Sequence, residues 1–165
     1  MSNIIPTKPR VISGNLTKRA FIIVASRFNP MYVQGLVNHA SEQLREQMPG
    51  AVITLYQVPG AFEIPIVVRE LASQKKADGI IAIGVIIKGH TAHAENLARS
   101  VTDALQRIAL ESGVPVINAV LSLENESQAR ERCLEDKINR GTEAAKAAIE
   151  ITGLMAELRE KQAHG

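Results

Sequence analysis

The segment GVIIKGHTAH, from Gly84 to His93, gathers more reactive side-chain types than any other stretch of the chain. A run of apolar and β-branched residues, Gly79 to Ile87, does not alternate with polar ones and so reads as a strand buried on both faces. It gives way to Lys88, Gly89, His90, Thr91 and His93 just before a helical pattern begins. A cation, a flexible backbone, a hydroxyl and two imidazoles therefore sit where a strand hands over to a helix. In open α/β sheets ligands bind at this carboxyl edge, and the free amides of a helix start favour an anion. The chemistry expected is an anion site with a proton-transfer residue beside it.

The elements that must hold this segment are legible on either side. Ala20 to Ala25 is continuously apolar and reads as a buried strand. Met31 to Met48 has helical spacing (Val33, Leu36, Val37, Ala40, Leu44), closed by Pro49 and Gly50. A strand over Val52 to Val58 and a helix from about Ala61 to Gln74 follow. After the central strand, Leu97, Val101, Leu105 and Ile108 mark a helix ending near Gly113. Pro115 to Leu121 reads as a fourth strand, with helices over Ser127 to Lys137 and Thr142 to about Lys161. Strands alternating with helices imply a parallel sheet with right-handed crossovers. The expected architecture is a three-layer α/β/α sandwich on a four-stranded parallel sheet, flavodoxin-like in type. Residues 1–17 carry prolines and little periodicity. They are expected as an extended arm, with Val11 and Ile12 available for an edge strand, ahead of a single domain over 18–165.

The bulk numbers narrow the function classes. The 165 residues are 45% hydrophobic and 22% charged with a net charge of +2, which gives no electrostatic footprint for nucleic acid or a membrane surface. No apolar run reaches the roughly 18 residues that span a bilayer. The N-terminus lacks the apolar core of a secretory signal, so a cytoplasmic location is expected. The single cysteine, Cys133, excludes an internal disulfide and a cysteine-rich metal site. It lies in a charged helical pattern with no activating partner and reads as a bland thiol.

In such a sandwich the loops after the strands gather on one side. They carry Ser26-Arg27-Phe28-Asn29, then Pro59-Gly60-Ala61-Phe62-Glu63, then Lys88 to His93, then Ser122 to Asn125. Two aromatic rings, carboxylates, amides, cations and two imidazoles converge there. This set suits a flat polar heterocycle stacked on a ring, hydroxyls held by Glu63 and a phosphate near Gly89 to Thr91. There is no GxGxxG and no Walker sequence, so a dinucleotide or nucleoside triphosphate site is not indicated. His90 and His93 lack a third ligand at metal spacing, so no metal is expected.

Arg27-Phe28-Asn29, VPGAFEIP (Val58 to Pro65), GVIIKGHTAH, Glu124-Asn125 with Arg132, and Asn139-Arg140-Gly141 together resemble the 6,7-dimethyl-8-ribityllumazine synthase family of riboflavin biosynthesis. The resemblance runs through nearly the whole chain in order. It implies a cofactor-free condensation of 5-amino-6-ribitylaminouracil with 3,4-dihydroxy-2-butanone 4-phosphate, giving the lumazine, inorganic phosphate and water. It further implies that Phe28 stacks on the pyrimidine, with Asn29, Gly60, Ala61, Phe62 and Glu63 lining the ring and ribityl chain. Ile86, Ile87 and Lys88 would complete that wall. Gly89, His90 and Thr91 fall in the family's phosphate loop, Arg132 supplies its counter-charge, and His93 aligns with the proton-transfer histidine. The implied assembly is a homopentamer with active sites between subunits.

Three positions depart from the family pattern. Asn118 stands where an aromatic contributed by the adjacent subunit is usual. Ala94-Glu95-Asn96 follows His93 in place of an aromatic-acid-aromatic run, and Lys88 replaces an arginine. These departures keep open a second reading, a catalytically weak flavin- or lumazine-binding protein on the same scaffold. Shell-forming members often carry a Gly/Lys-rich turn before the Asn-basic-Gly motif. Here Cys133 to Ile138 is bulkier and more acidic, so free pentamers are expected.

Overall fold

The computed structural model describes residues 18–90 and 92–163. The expected arm over 1–17, its Val11 and Ile12, and the phosphate-loop Thr91 lie outside the described residues. Four strands carry the fold: β1 (Ala20–Ser26), β2 (Val52–Val58), β3 (Gly79–Ile87) and β4 (Val116–Leu123). They form one parallel sheet in the order β2-β1-β3-β4, the doubly wound arrangement expected when strand and helix alternate. All nine residues of β3 are buried, which accounts for its unbroken apolar sequence.

Helices cover both faces. Alternate residues of β1 and β3 (Phe21, Ile23, Ile81, Ile83, Val85) meet Leu36, Ala40 and Leu44 of α1 (Pro30–Gln47), together with α4 (Glu126–Cys133) and α5 (Arg140–Ala163). Their neighbours (Ile22, Val24, Ile80, Ala82) face Ile64 and Val68 of α2 (Ile64–Ser73) and Val101 and Leu105 of α3 (Ala94–Ser112). The period-two split of side chains thus builds two cores from one sheet.

Element ends differ from the sequence expectation where local chemistry intervenes. The helix expected from Ala61 divides into a 3-10 turn, Ala61–Glu63, and then α2, with Pro65 in the first turn of α2 where its missing amide is harmless. The helix expected to Lys137 stops at Cys133, and Asn139 Oδ1 accepts from Gly141 and Thr142 amides to start α5. β4 runs on to Leu123 because the Lys88 amide donates to the Leu123 carbonyl at 2.8 Å.

Candidate active site

The β1–α1 turn is the first to bring site residues to the sheet edge. Asn29 takes a left-handed conformation (φ 55°), which Asn tolerates better than most residues, and Pro30 opens α1 behind it. Its side-chain Nδ2 donates to the Val85 carbonyl at 2.8 Å, tying the turn to β3. Phe28 consequently projects outward and is 69% exposed. Tyr32, the third residue of α1, is instead buried in the core.

The β2 turn closes against that ring. Glu63 Oε2 accepts the Gly60 amide at 3.1 Å, and the Glu63 amide donates back to the Gly60 carbonyl at 3.1 Å. A Cβ at Gly60 would lie 3.1 Å from both the Phe28 ring and Glu63 Oε2, so ring and carboxylate meet over this glycine. Phe62 is 70% exposed beside it, whereas Ala61 is buried.

On the central strand, Ile86 and Ile87 are buried and form the base of the edge. Gly89 has φ +87°, the left-handed region that glycine enters without strain. Lys88 Nζ lies 2.7 Å from Glu124 Oε1 and 4.0 Å from Glu95 Oε1. The Glu124 carboxylate raises the Lys88 ammonium above its ordinary range. His90 is exposed, and its amide reaches the Ile87 carbonyl at 3.2 Å. His93 caps α3 and accepts the Leu97 amide with its carbonyl. A hollow of about 230 Å³ lies over this loop, lined by Lys88, Gly89, Ala92, Ala94, Glu95 and Asn96.

A larger groove of about 430 Å³ follows edge strand β4 and is lined by Asn118, Ser122 and Leu123 together with Arg132, Arg140 and Glu143. Arg132 is half-buried, with a buried Nε that has no hydrogen-bond partner among the described residues. Asn118 is turned back on its own subunit: Nδ2 donates to Thr102 Oγ1 at 3.1 Å and Oδ1 accepts the Val120 amide at 3.0 Å. Neither Phe28, Phe62, Glu63 nor His93 lines this groove. The structure thus brings Phe28, Gly60 and Glu63 together, and separately Asn118 and Arg132.

Arg140 and Glu143, paired at 2.7 Å, are groove residues that the sequence reading did not assign to the site. Their three-residue spacing, which puts both on one helix face, was the available signal. Among the described residues no group of three His, Cys, Asp or Glu could hold a metal ion, and no helix is long and apolar enough to cross a membrane.

Residues 18–156 match the sequence profile of 6,7-dimethyl-8-ribityllumazine synthase. The chain belongs to that family. Lumazine synthases are transferases of riboflavin biosynthesis, acting on small molecules, and the parallel sheet with its two helical layers is consistent with their fold. The match extends across all four strands and through most of α5, so both the aromatic corner and the β4 groove lie inside the lumazine synthase region.

Proposed function

We propose that this lumazine synthase condenses 5-amino-6-ribitylaminouracil with 3,4-dihydroxy-2-butanone 4-phosphate in a site completed by an adjacent copy of the chain. Phe28 stacks on the pyrimidine. Asn29, Gly60, Ala61, Phe62, Glu63, Ile86, Ile87 and Lys88 frame the ring and the ribityl chain, with Glu63 accepting from its hydroxyls. Gly89, His90 and Thr91 hold the phosphate, and His93 moves protons during imine formation and phosphate loss, which suits an imidazole near neutral pH. Arg132 and Asn118 come from the neighbouring subunit, Arg132 gripping the departing phosphate through paired N–H donors. Holding two reactants in register supplies much of the acceleration. We place the single domain over 18–165, in the cytoplasm, in a free pentamer.

The observation that carries this reading is the division of the site. The phosphate arginine lines a groove on edge strand β4 that none of the ring-binding residues enters. The opposite edge strand supports it: Val52, Leu55 and Tyr56 on β2, with Phe62 and Ile66 nearby in sequence, are large apolar side chains left 42–73% exposed. Large apolar side chains left exposed along an edge strand are what a second copy covers.

Complementation tests the reading. Phe28→Ala and Arg132→Met proteins, each strongly impaired alone but still measurable, are unfolded together, refolded and assayed by lumazine absorbance. In a ring with random neighbours, about a quarter of shared sites regain both native residues, so activity returns. If the mixture stays as impaired as its components, the two residues serve one subunit and the shared site is wrong.

A further inference from the structure

The β4–α4 junction contains a hydrogen-bonded chain that links Lys88 to Arg132, two cations the proposed function assigns to sites on either side of one subunit. Lys88 Nζ donates to Glu124 Oε1 at 2.7 Å. The Glu124 backbone amide donates to Gln128 Oε1 at 2.9 Å, and Arg132 Nη1 donates to the same Gln128 oxygen at 3.5 Å. Gln128 is in turn fixed by its own amide, which Asn125 Oδ1 accepts at 2.9 Å. Both groups pointing at the Gln128 carboxamide are N–H donors, so its oxygen, not its nitrogen, must occupy this position.

Spacing explains why this residue and no neighbour does the job. Gln128 is the third residue of α4, where a side chain can reach back to the free amides before the helix. Arg132 lies four residues further on, one turn along the same face. One oxygen therefore joins the turn that sets Glu124, and through it Lys88, to the arginine in the groove. The Arg132 guanidinium is held from the side of Nη1 while its buried Nε has no partner among the described residues. Without Gln128 that half-buried side chain would have no hydrogen bond within the described residues to select its rotamer.

We infer that Gln128 is a positioning residue, whose carbonyl oxygen fixes the Arg132 guanidinium and so sets affinity for the phosphorylated substrate. The inference rests on the assignment of Arg132 to the phosphate. A helix-capping role alone would change stability and leave substrate discrimination untouched.

A double-mutant cycle separates the two. Gln128→Met keeps the length and helix preference of the side chain and removes the acceptor. In the wild-type background it is expected to raise KM for the butanone phosphate about fivefold, the net effect of losing one hydrogen bond of ordinary strength, and to weaken inhibition by inorganic phosphate in parallel. KM for the ribitylaminouracil stays within about twofold. In an Arg132→Met background Gln128→Met has no further effect on either phosphate readout. An equal effect in both backgrounds, a rise in both KM values, or no effect beside an intact Arg132 overturns the inference. Should Arg132→Met itself leave both phosphate readouts unchanged, the arginine assignment fails first and the inference falls with it. Gln128→Ala, read the same way, serves if the methionine variant does not assemble.

Discussion

Gly35 of α1 packs directly against the backbone carbonyl of Cys133 at the end of α4, with the Leu134 side chain closing over it. A Cβ there would fall inside van der Waals contact with the carbonyl oxygen, and backbone cannot swing aside as a side chain can. Gly35→Ala is expected to cost about 1–3 kcal/mol, the usual penalty for overpacking. That corresponds to a fall in Tm on the order of 5 °C for a chain of this size. Because α4 carries Arg132, phosphate affinity should weaken as well. Calorimetry alongside the KM for the butanone phosphate checks both.

Phe28 behaves oppositely. Its ring is 69% exposed in the chain, so Phe28→Ala removes little buried surface and should shift stability by less than about 0.5 kcal/mol. Loss of stacking on a pyrimidine costs roughly 1–3 kcal/mol, so affinity for the ribitylaminouracil should fall about 10- to 100-fold. Thermal melts paired with titration of that substrate separate the two effects. A large loss of stability with unchanged affinity would make Phe28 a packing residue.

His39 gives the fold a pH-dependent contact. Nδ1 lies 2.8 Å from the Gly35 carbonyl and Nε2 2.9 Å from Asp136 Oδ1, two acceptors that only the doubly protonated ring can satisfy together. Burial pulls the imidazole pKa down, but the Asp136 carboxylate, the Gly35 carbonyl and the charge of Glu42 outweigh it and hold the pKa above its ordinary 6.5. The folded state therefore binds the proton more tightly than the unfolded one. The stabilisation is complete below the unfolded value of 6.5 and disappears as pH rises through the higher folded value. Asp136 is 98% exposed, so screening limits the pair to less than about 1 kcal/mol. Denaturant melts between pH 5.5 and 8.5 should show a small decline in stability that His39→Gln lacks. A decline of equal size in that variant would assign it to other groups.

Cys133 is buried, and desolvation pushes its thiol up to about 11. At pH 8 about one molecule in a thousand carries the thiolate, the form that reacts. A thiol-reactive dye should label the native protein far more slowly than the denatured one. Equal rates would mean that the α1–α4 packing around Gly35 opens readily.

How much of this was legible beforehand depends on the range of the interaction involved. β2 and β3 have the bounds read from sequence: β3, buried on both faces, leaves an unbroken apolar run, and a Pro-Gly pair punctuates each end of the exposed β2. The end of α4 was not legible. Its charged sequence continues helically past Cys133, and what stops it is a set of contacts made elsewhere: the Leu134 side chain on Gly35, and Asn139 capping the next helix. The same holds for the site. Phe28, Glu63 and the Lys88 to His93 loop could be placed on one edge from the alternation of strands and helices, which implies a parallel sheet. That Phe28 and Glu63 meet over Gly60 required coordinates. So did the discovery that Asn118 is bound to Thr102 and that Gln128 joins Glu124 to Arg132.

The sequence by itself determined the layer architecture and the chemical inventory of the carboxyl edge, since both follow from residue period and from short motifs fixed along the chain. Only the tertiary structure decided which of those residues share a surface. The strand order β2-β1-β3-β4 puts β4 at an edge and lays α5 beside it, so Arg132, Arg140 and Asn118 line a groove apart from Phe28. Such juxtapositions depend on contacts between residues distant in sequence, and no local pattern encodes them.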